Sequence, residues 1–369
     1  MLTALANALI YTGTEIVKEK TVLFEEGKIK GIVDNDNIPS GAVVRDCNGF
    51  FIAPGLIDLQ IAGGGGYLFS ADPSPESLNA IAESIVSSGT TGFLLAVPTD
   101  TPQVYREVIR IIKSNTHPAV LGLHLEGPYI SHARRGAHNR NLIKIPEPDE
   151  LSSLLDEAEG TIKLMTVAPE VCNPEVIRIL RDHNVVISAG HSNATFEEAI
   201  KGFEWGIQSV THLFNGMSQL HHRDPGLPGA AFASENVMAA IIADGIHVHF
   251  QTVAMAKKLL KERLFLVSDA VEENRFGGNN MHVRKKDRFT LPDGTLSGSV
   301  LSMMKAVQNC IDYAGIDTDE ALRMASLYPA RLMQLNDRGL IKAGYRADLI
   351  VFNGEFAVES VYISGKQIK

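Results

Sequence analysis

Three side chains suited to binding a divalent metal each stand at the end of a short apolar run. Glu126 follows one run and precedes Gly-Pro, while His191 and His212 end two later runs. A single histidine or glutamate at such a position is more often a structural residue, an ion-pair partner or a helix cap. Two histidines and one glutamate together, however, form a known catalytic zinc arrangement that leaves one coordination position open. We therefore predict that Glu126, His191 and His212 bind a metal ion.

A fourth polar residue, Asp269, lies in the apolar run at residues 264–270. A carboxylate beside a metal could take a proton from water and later donate it to a leaving amine. The same position also suits an aspartate that caps the N-terminus of a helix. Together with the three metal-binding candidates, the position of Asp269 favours the catalytic interpretation.

The segment His221-His222-Arg223 could serve an anionic substrate, because a guanidinium group matches the geometry of a phosphate. It could equally be a solvated loop. The residues alone leave these two alternatives open.

The elements that position these residues alternate between short apolar runs and amphipathic stretches, which is typical of βα units around a parallel sheet. Most runs end in a polar residue, and in a barrel the carboxyl ends of the strands converge on one face. The sequence therefore predicts an α/β fold, a (β/α)8 TIM barrel with these polar residues gathered at its active-site face. The eight predicted strands lie at 51–59, 92–99, 120–127, 162–170, 185–191, 210–215, 238–247 and 264–270.

Both ends of the chain carry hairpin signals instead. Residues 22–33 contain a Glu26-Gly27 turn, and residues 348–364 contain an Asn353-Gly354 turn between β-rich runs. Because isolated hairpins are only marginally stable, we expect the two ends to pair in one small β-sandwich domain. The predicted division is 1–50 plus 340–369 for the small domain and 51–339 for a barrel of the metal-dependent hydrolase type.

Composition narrows the function classes. The formal charge of -9 disfavours a general affinity for nucleic acid. The three cysteines, Cys47, Cys172 and Cys310, form no CxxC pair, which fits a reducing cytoplasm rather than a disulfide framework. The sequence has no apolar run long enough for a membrane helix and no signal-peptide pattern at residue 1. We expect a cytoplasmic protein that binds neither nucleic acid nor membranes.

The motifs, taken in order, resemble those of the amidohydrolase superfamily over nearly the whole chain, and within it those of deacetylases of phosphorylated amino sugars. The ordered set is specific, although no single motif is. It comprises APGLID (53–58), HLEGP (124–128), GAHN (136–139), GHS (190–192), THLFNGM (211–217), DGIH (244–247), SDA (268–270) and GS (298–299).

This resemblance implies hydrolysis of N-acetyl-D-glucosamine 6-phosphate to D-glucosamine 6-phosphate and acetate, in amino-sugar catabolism and the recycling of cell-wall sugars. Asp269 would take the proton of the attacking water and then protonate the departing nitrogen. His138 would hold the carbonyl oxygen as it becomes an oxyanion, and His247 would hydrogen-bond a sugar hydroxyl. The implied substrate contacts are His138, Ala137, Asn215, Gly216, Arg223, His247 and Ser299.

The resemblance also implies a homodimer with a shared active site. In it, Asn215 and Gly216 present amide groups to the phosphate, and Arg223 reaches that phosphate from the neighbouring subunit.

One departure from the superfamily pattern bears on the number of metal ions. Many amidohydrolases carry His-x-His at this point and bind a second metal with it, but this chain has Gln60-Ile61-Ala62. Neither Gln60 nor Ala62 replaces an imidazole as a good zinc ligand. We therefore expect one divalent metal ion per subunit. Zinc is the first choice, but a site of two histidines and a glutamate also accepts iron, cobalt or manganese, so the residues leave the identity of the metal open.

Two other functions remain as alternatives. The chain could be another amidohydrolase, acting on a different N-acyl or cyclic amide, but those enzymes usually retain His-x-His. It could also be a non-catalytic sensor of amino-sugar phosphates. A sensor needs no general base, so the presence of Asp269 favours the enzyme.

Overall fold

Strands and helices alternate through the middle of the chain, whereas its two ends are built of strands. The computed structural model describes residues 1–115, 117–273 and 282–369. In chain order the strands are β1 Thr3–Tyr11, β2 Ile16–Glu25, β3 Lys28–Asp34, β4 Val43–Asp46, β5 Phe51–Pro54, β6 Leu56–Ile61, β7 Gly63–Gly64, β8 Tyr67–Leu68, β9 Thr90–Pro98, β10 Val120–Glu126, β11 Ile162–Val167, β12 Val186–Ala189, β13 Ser209–Val210, β14 Met238–Ile241, β15 Leu264–Leu266, β16 Val283–Arg284, β17 Arg288–Thr290, β18 Leu296–Ser299, β19 Leu349–Phe352, β20 Val358–Ile363 and β21 Lys366–Gln367. The α-helices are α1 Pro75–Ser87, α2 Pro102–Ser114, α3 Pro148–Ala158, α4 Pro174–Asp182, α5 Phe196–Trp205, α6 Gly226–Ala233, α7 Phe250–Leu260, α8 Met303–Ala314, α9 Thr318–Ala325 and α10 Leu327–Leu332.

Eight of these strands form a parallel barrel in the order in which they occur along the chain. They are β6, β9, β10, β11, β12, β13, β14 and β15. The first and eighth strands meet at a bridge between Ile61 and Ala270, where the Asp269 N–H also donates to the Gln60 carbonyl at 3.0 Å. Each of the eight predicted runs overlaps one barrel strand, and the (β/α)8 prediction is confirmed.

The helices cover this barrel and bury their apolar faces against it. Their starts follow local sequence signals: Pro75 occupies the first turn of α1, and the Ser74 hydroxyl accepts the Ser77 N–H in a capping box. On α4, Val176, Ile177 and other apolar side chains at helical spacing are buried. None of the helices in the described ranges is both long and apolar enough to cross a membrane.

The two ends of the chain pair in a second, eight-stranded sheet. β1 to β5 come from the N-terminal end and β19 to β21 from the C-terminal end, and the two groups meet where β5 pairs antiparallel with β19. The predicted small β-domain built from both termini is therefore confirmed. Its separate core includes Leu5, Ile10, Phe24, Ile52 and Leu349.

The two predicted hairpins differ in how closely they follow the sequence signal. The first turns at Glu26-Gly27 as predicted, with Glu25 paired to Lys28. The second joins β19 to β20 through residues 353–357, which is longer than a two-residue Asn-Gly turn. The Asn353 side chain accepts hydrogen bonds from two backbone N–H groups inside this loop, and this accounts for the longer connection.

Gly55 marks the point where the chain passes from one sheet to the other. β5 ends at Pro54 in the terminal sheet, and β6 begins at Leu56 in the barrel. A Cβ atom at Gly55 would lie 2.0 Å from Thr91 Oγ1, so no larger residue fits without displacing β9. Strand pairing thus changes sheet at Gly55, whereas the predicted domain boundary at residue 50 stays a prediction.

A buried carboxylate holds the junction between the barrel and the terminal sheet. The Asp348 side chain is 4% exposed and accepts hydrogen bonds from Arg346 Nε at 3.0 Å and the Ser364 N–H at 2.7 Å. Arg338 Nη1 lies 3.4 Å from the same carboxylate. Removing one partner of such a group leaves the other charges buried without compensation.

We expect Asp348→Ala to lower the free energy of unfolding by about 3 kcal/mol, because Arg338 and Arg346 would lose their buried counter-charge. Equilibrium unfolding in urea measures this change. Asp312→Ala, at an exposed position of α8, is the matched control and should change the free energy by less than about 0.5 kcal/mol. An equal effect of both substitutions would contradict the proposed role of Asp348.

Candidate active site and metal centre

The three predicted metal ligands converge at the C-terminal face of the barrel. Glu126 is the last residue of β10, and His191 and His212 each stand two residues beyond the end of a strand. Glu126 Oε1 lies 2.9 Å from His212 Nε2 and 3.3 Å from His191 Nε2, and the two Nε2 atoms are 3.1 Å apart. All three side chains are buried.

The chemistry of these donors fits a metal ion. The Arg134 carbonyl oxygen, 3.0 Å from His191 Nδ1, can only accept a hydrogen bond, so Nδ1 carries the proton and Nε2 presents its lone pair. Tetrahedral zinc with bonds of about 2.0–2.1 Å places its ligand atoms about 3.3 Å apart, close to the separations here. Within the described ranges, Glu126, His191 and His212 are the one such group, with ligand atoms within 4.8 Å of one another.

The His191 ring packs closely against the backbone of the loop at Gly216. Gly216 has a φ of +56°, and a Cβ atom there would lie 2.9 Å from His191 Nδ1. A glycine is therefore needed at this position, both for the left-handed backbone and for the contact with the imidazole.

The Glu126 carboxylate stays ionised although it is buried. Burial alone would raise its pKa, but the neighbouring imidazoles of His138, His191 and His212 outweigh this effect and hold the pKa well below its usual range. A buried carboxylate surrounded by imidazoles is a strong ligand for a cation.

Gln60 links this carboxylate to Asp269, a contact that sequence reasoning missed. The Gln60 side chain is 1% exposed, and its Nε2 donates to Glu126 Oε1 at 2.9 Å and to Asp269 Oδ1 at 3.0 Å. Gln60 therefore presents a hydrogen-bond donor where the superfamily often has an imidazole, and Ala62 lines the cavity without a polar group. The absence of His-x-His at residues 60–62 was the signal available in the sequence. The sequence alone did not show that the Gln60 amide reaches both carboxylates.

Asp269 lies beside the metal-binding cluster. It follows β15, and its backbone φ of +51° turns the side chain into the barrel mouth. Burial raises the pKa of Asp269, and the nearby negative charge of Glu126 raises it further. The carboxylate is thus placed and tuned as a group that can take up a proton.

His138 faces the same cluster from the long loop after β10. The Thr99 N–H donates to His138 Nδ1 at 3.1 Å, so in the neutral ring the proton is on Nε2, which lies 3.6 Å from Glu126 Oε2. Burial lowers the pKa of His138 to about 4. His138 is therefore a neutral hydrogen-bond donor directed into the site.

His247 is oriented by a carboxylate of its own loop. Its Nδ1 lies 2.6 Å from Asp244 Oδ2, and the Asp244 Oδ1 atom accepts the Ile246 and His247 N–H groups, both at 2.8 Å. Because Nδ1 is held by Asp244, Nε2 is the ring nitrogen available to a substrate.

These residues line one cavity of about 230 Å³ at the barrel mouth. The sequence-predicted residues that the structure brings together there are Glu126, Ala137, His138, His191, His212, Asn215, Gly216, His247 and Asp269. Further wall residues are His282 and residues 295–298, of which Gly298 alone belongs to a motif noted in the sequence. The others lie in or beside the short strands β16 and β18, which follow no long apolar run, so no sequence pattern pointed to them.

Two predicted substrate contacts lie elsewhere. Ser299 is fully buried outside the cavity lining, and its hydroxyl donates to the Ser268 carbonyl at 2.6 Å and accepts the Leu301 N–H at 2.9 Å. Arg223 is exposed, with Nη1 2.8 Å from His222 Nε2, and it does not line the cavity of its own chain. Ser299 thus supports the backbone beside Asp269.

Comparisons with known proteins show which proteins this chain is similar to. A protein-family model described as the amidohydrolase family matches residues 51–368. The N-acetylglucosamine-6-phosphate deacetylase of Haemophilus influenzae is 32% identical over 98% of both chains. The N-acetylgalactosamine-6-phosphate deacetylase of a Shewanella species is 36% identical over 85% of this chain and 82% of that protein. The crystal structure of N-acetylglucosamine-6-phosphate deacetylase from Pasteurella multocida has a TM-score of 0.95 at 30% identity, covering 100% of this chain and 99% of that chain.

We expect the purified protein to bind one divalent ion per chain, measured by elemental analysis after dialysis. His191→Ala and His212→Ala should weaken zinc binding at least about 100-fold, because each removes a ligand. His247→Ala is the matched control, since its ring lines the same cavity but is held by Asp244. Two ions per chain, or full metal content in both ligand variants, would contradict this assignment.

Proposed function

The chain belongs to the amidohydrolase family, and we propose that it hydrolyses N-acetyl-D-glucosamine 6-phosphate to D-glucosamine 6-phosphate and acetate, a step of amino-sugar catabolism. The observation that carries this proposal is the single cavity in which the cluster of Glu126, His191 and His212 lies beside Asp269. The activities named for the Haemophilus and Pasteurella proteins support this substrate.

We propose that Glu126, His191 and His212 hold one zinc ion per subunit. Two imidazoles and one carboxylate form a donor set that catalytic zinc uses. When bound, such an ion polarises the amide carbonyl and lowers the pKa of the attacking water towards about 7. The Gln60 amide donor beside Glu126 supports a count of one ion rather than two.

Asp269 moves the protons of the reaction. Its Oδ1 accepts a hydrogen bond from Gln60, which leaves Oδ2 to take the proton of the water that attacks the carbonyl carbon. When the C–N bond breaks, the same carboxyl group gives that proton to the nitrogen, so the amine leaves as a neutral group. A sensor that only binds the sugar would need no such residue.

The remaining cavity residues hold the substrate. His138 donates from Nε2 to the carbonyl oxygen as negative charge develops there, a contact of a kind worth about 100-fold in rate. His247 hydrogen-bonds a sugar hydroxyl, and Ala137 packs beside His138. Asn215 and Gly216 present amide groups to the phosphate.

A cation would match the charge of the phosphate, and the described part of the chain places none in the cavity lining. The cavity lining contains no lysine or arginine among the described residues. We therefore propose that the protein is a homodimer in which Arg223 reaches the cavity of the other subunit.

We also propose a cytoplasmic location, because Cys47, Cys172 and Cys310 are all free thiols.

We expect Asp269→Asn to bind the substrate with an affinity close to that of the wild type but to lower kcat about 1,000-fold, because both proton transfers lose their carrier. Acetate release measures turnover, and calorimetric titration measures binding. Metal content is determined on the same samples, so a loss of the ion is not mistaken for a loss of the base. Near-normal turnover of a metal-loaded variant would remove Asp269 from the mechanism.

We expect Arg223→Ala to raise the KM for N-acetylglucosamine 6-phosphate about 10- to 100-fold, because a charge-assisted contact with the phosphate is lost. The kcat/KM for unphosphorylated N-acetylglucosamine should stay unchanged. Arg178→Ala, on the exposed face of α4, is the matched control. Equal losses for both sugars would show that Arg223 does not recognise the phosphate.

A further inference from the structure

One wall of the cavity is formed by residues 295–298, in and beside β18, which belongs to a three-stranded antiparallel sheet, β16 to β18, that is not part of the barrel. This sheet is hydrogen-bonded directly to the strand end that carries Asp269: the Ser299 N–H donates to the Asp269 carbonyl at 2.9 Å, and the Val271 N–H donates to the Ser299 carbonyl at 3.2 Å. The position of the wall relative to the catalytic groups is therefore fixed by backbone contacts.

His282 stands next to this wall and has no part in the chemistry described above. Its Nδ1 lies 2.9 Å from the Ser297 hydroxyl oxygen, and its ring meets the Phe289 ring edge-on at a centroid distance of 6.5 Å. These two contacts fix the orientation of the imidazole. Among the described residues no partner is found for Nε2, and both His282 and Ser297 line the cavity.

The imidazole is neutral, because burial lowers the pKa of His282 to about 4. A neutral ring held through Nδ1 has one nitrogen left, and that nitrogen either donates or accepts a hydrogen bond. A hydroxyl group matches both possibilities, whereas a phosphate would be matched better by a cation. The chemistry of His282 therefore suits a sugar hydroxyl.

The geometry of a pyranose ring also indicates that a sugar hydroxyl faces His282. C2 carries the amide and C5 carries the phosphate arm on the opposite side of the ring. The amide must lie over the metal centre, and in the proposed function the phosphate lies at Asn215 and Gly216, in the loop after β13. The wall with His282 follows β15, with β14 between the two, so a ring edge that bears hydroxyl groups faces it.

We propose that His282, held by Ser297, is a specificity-determining residue that hydrogen-bonds one ring hydroxyl of the sugar phosphate. This inference rests on the proposed function and extends it to the choice among sugars. Such choice matters because the similar proteins include both an N-acetylglucosamine-6-phosphate and an N-acetylgalactosamine-6-phosphate deacetylase, whose named substrates differ at C4 alone.

The test is a cycle of enzyme variants against substrate analogues, with kcat/KM measured by acetate release. The enzymes are the wild type, His282→Ala, His282→Gln and Ser297→Ala, with His183→Ala before β12 as the matched control. The substrates are N-acetylglucosamine 6-phosphate, its 1-deoxy and 3-deoxy derivatives, and its C4 epimer, N-acetylgalactosamine 6-phosphate.

We expect His282→Ala to lower kcat/KM for the parent sugar about 10-fold, and Ser297→Ala to lower it less. For one altered hydroxyl, the penalty seen with the wild type should shrink by the same factor in His282→Ala, because the contact is already lost. His282→Gln should recover part of the loss, and His183→Ala should behave as the wild type.

Two negative outcomes can be told apart. If every analogue penalty is the same in His282→Ala as in the wild type, His282 contacts no hydroxyl and the inference is wrong. If the metal-loaded wild type releases no acetate from any of the sugars, the proposed function itself fails.

Discussion

The buried carboxylate of Glu126 is the group on which the rest of the site depends. A charge removed from water is costly unless other groups compensate it. Here Oε1 is met by the Gln60 amide at 2.9 Å and by His212 and His191 at 2.9 and 3.3 Å, while Oε2 faces His138. Each of these residues comes from a different strand end or loop. One buried carboxylate is thus compensated by groups from several strand ends, which the barrel brings to the same point.

Bringing these side chains to one point has a cost in the backbone. His191, His212 and Asp269 have φ values of +46°, +28° and +51°, a region that L-residues rarely adopt, although histidine and aspartate occur there more often than most. Each such residue costs about 1–3 kcal/mol. The chain turns sharply where it leaves a strand, which directs the next side chain across the barrel mouth instead of along the strand. The closed sheet and its apolar core hold these turns in place.

The sequence was most informative where structure follows a repeated pattern. Parallel strands all end at one face of a barrel, so the convergence of Glu126, His191, His212 and Asp269 followed from their positions in the apolar runs without knowledge of any loop. The split of the first run at Gly55 was not predicted, because β5 and β6 are both apolar and only packing against Thr91 separates them. The bridge made by Gln60 was missed for a related reason. Gln60 was excluded as a metal ligand, but its side-chain amide still donates hydrogen bonds, and it reaches the carboxylates of Glu126 and Asp269 across the barrel.

Loop residues lay beyond this kind of prediction. His282, just before β16, contacts Ser297 on β18 in a small sheet of short strands that have no periodic signal. Ser299 turned inward to the Ser268 carbonyl although Ser297 and Gly298 line the cavity. The resemblance to a family located Ser299 in a motif but did not give the direction of its side chain. Motif position and side-chain direction are separate properties, and only the second decides a contact.

The charges in the cavity set different requirements for the chemical step and for the binding of a phosphate. Glu126 and Asp269 bring two negative charges, and a divalent ion neutralises them but leaves nothing over for a phosphate. The described lining holds no lysine or arginine, and in the proposed function the amide groups at Asn215 and Gly216 face the phosphate. On a protein with a formal charge of -9, a local cation at the cavity mouth would favour the binding of a sugar phosphate. In the proposed function the groups that carry out the chemical step come from one barrel, and Arg223 of the other subunit adds affinity for the phosphate.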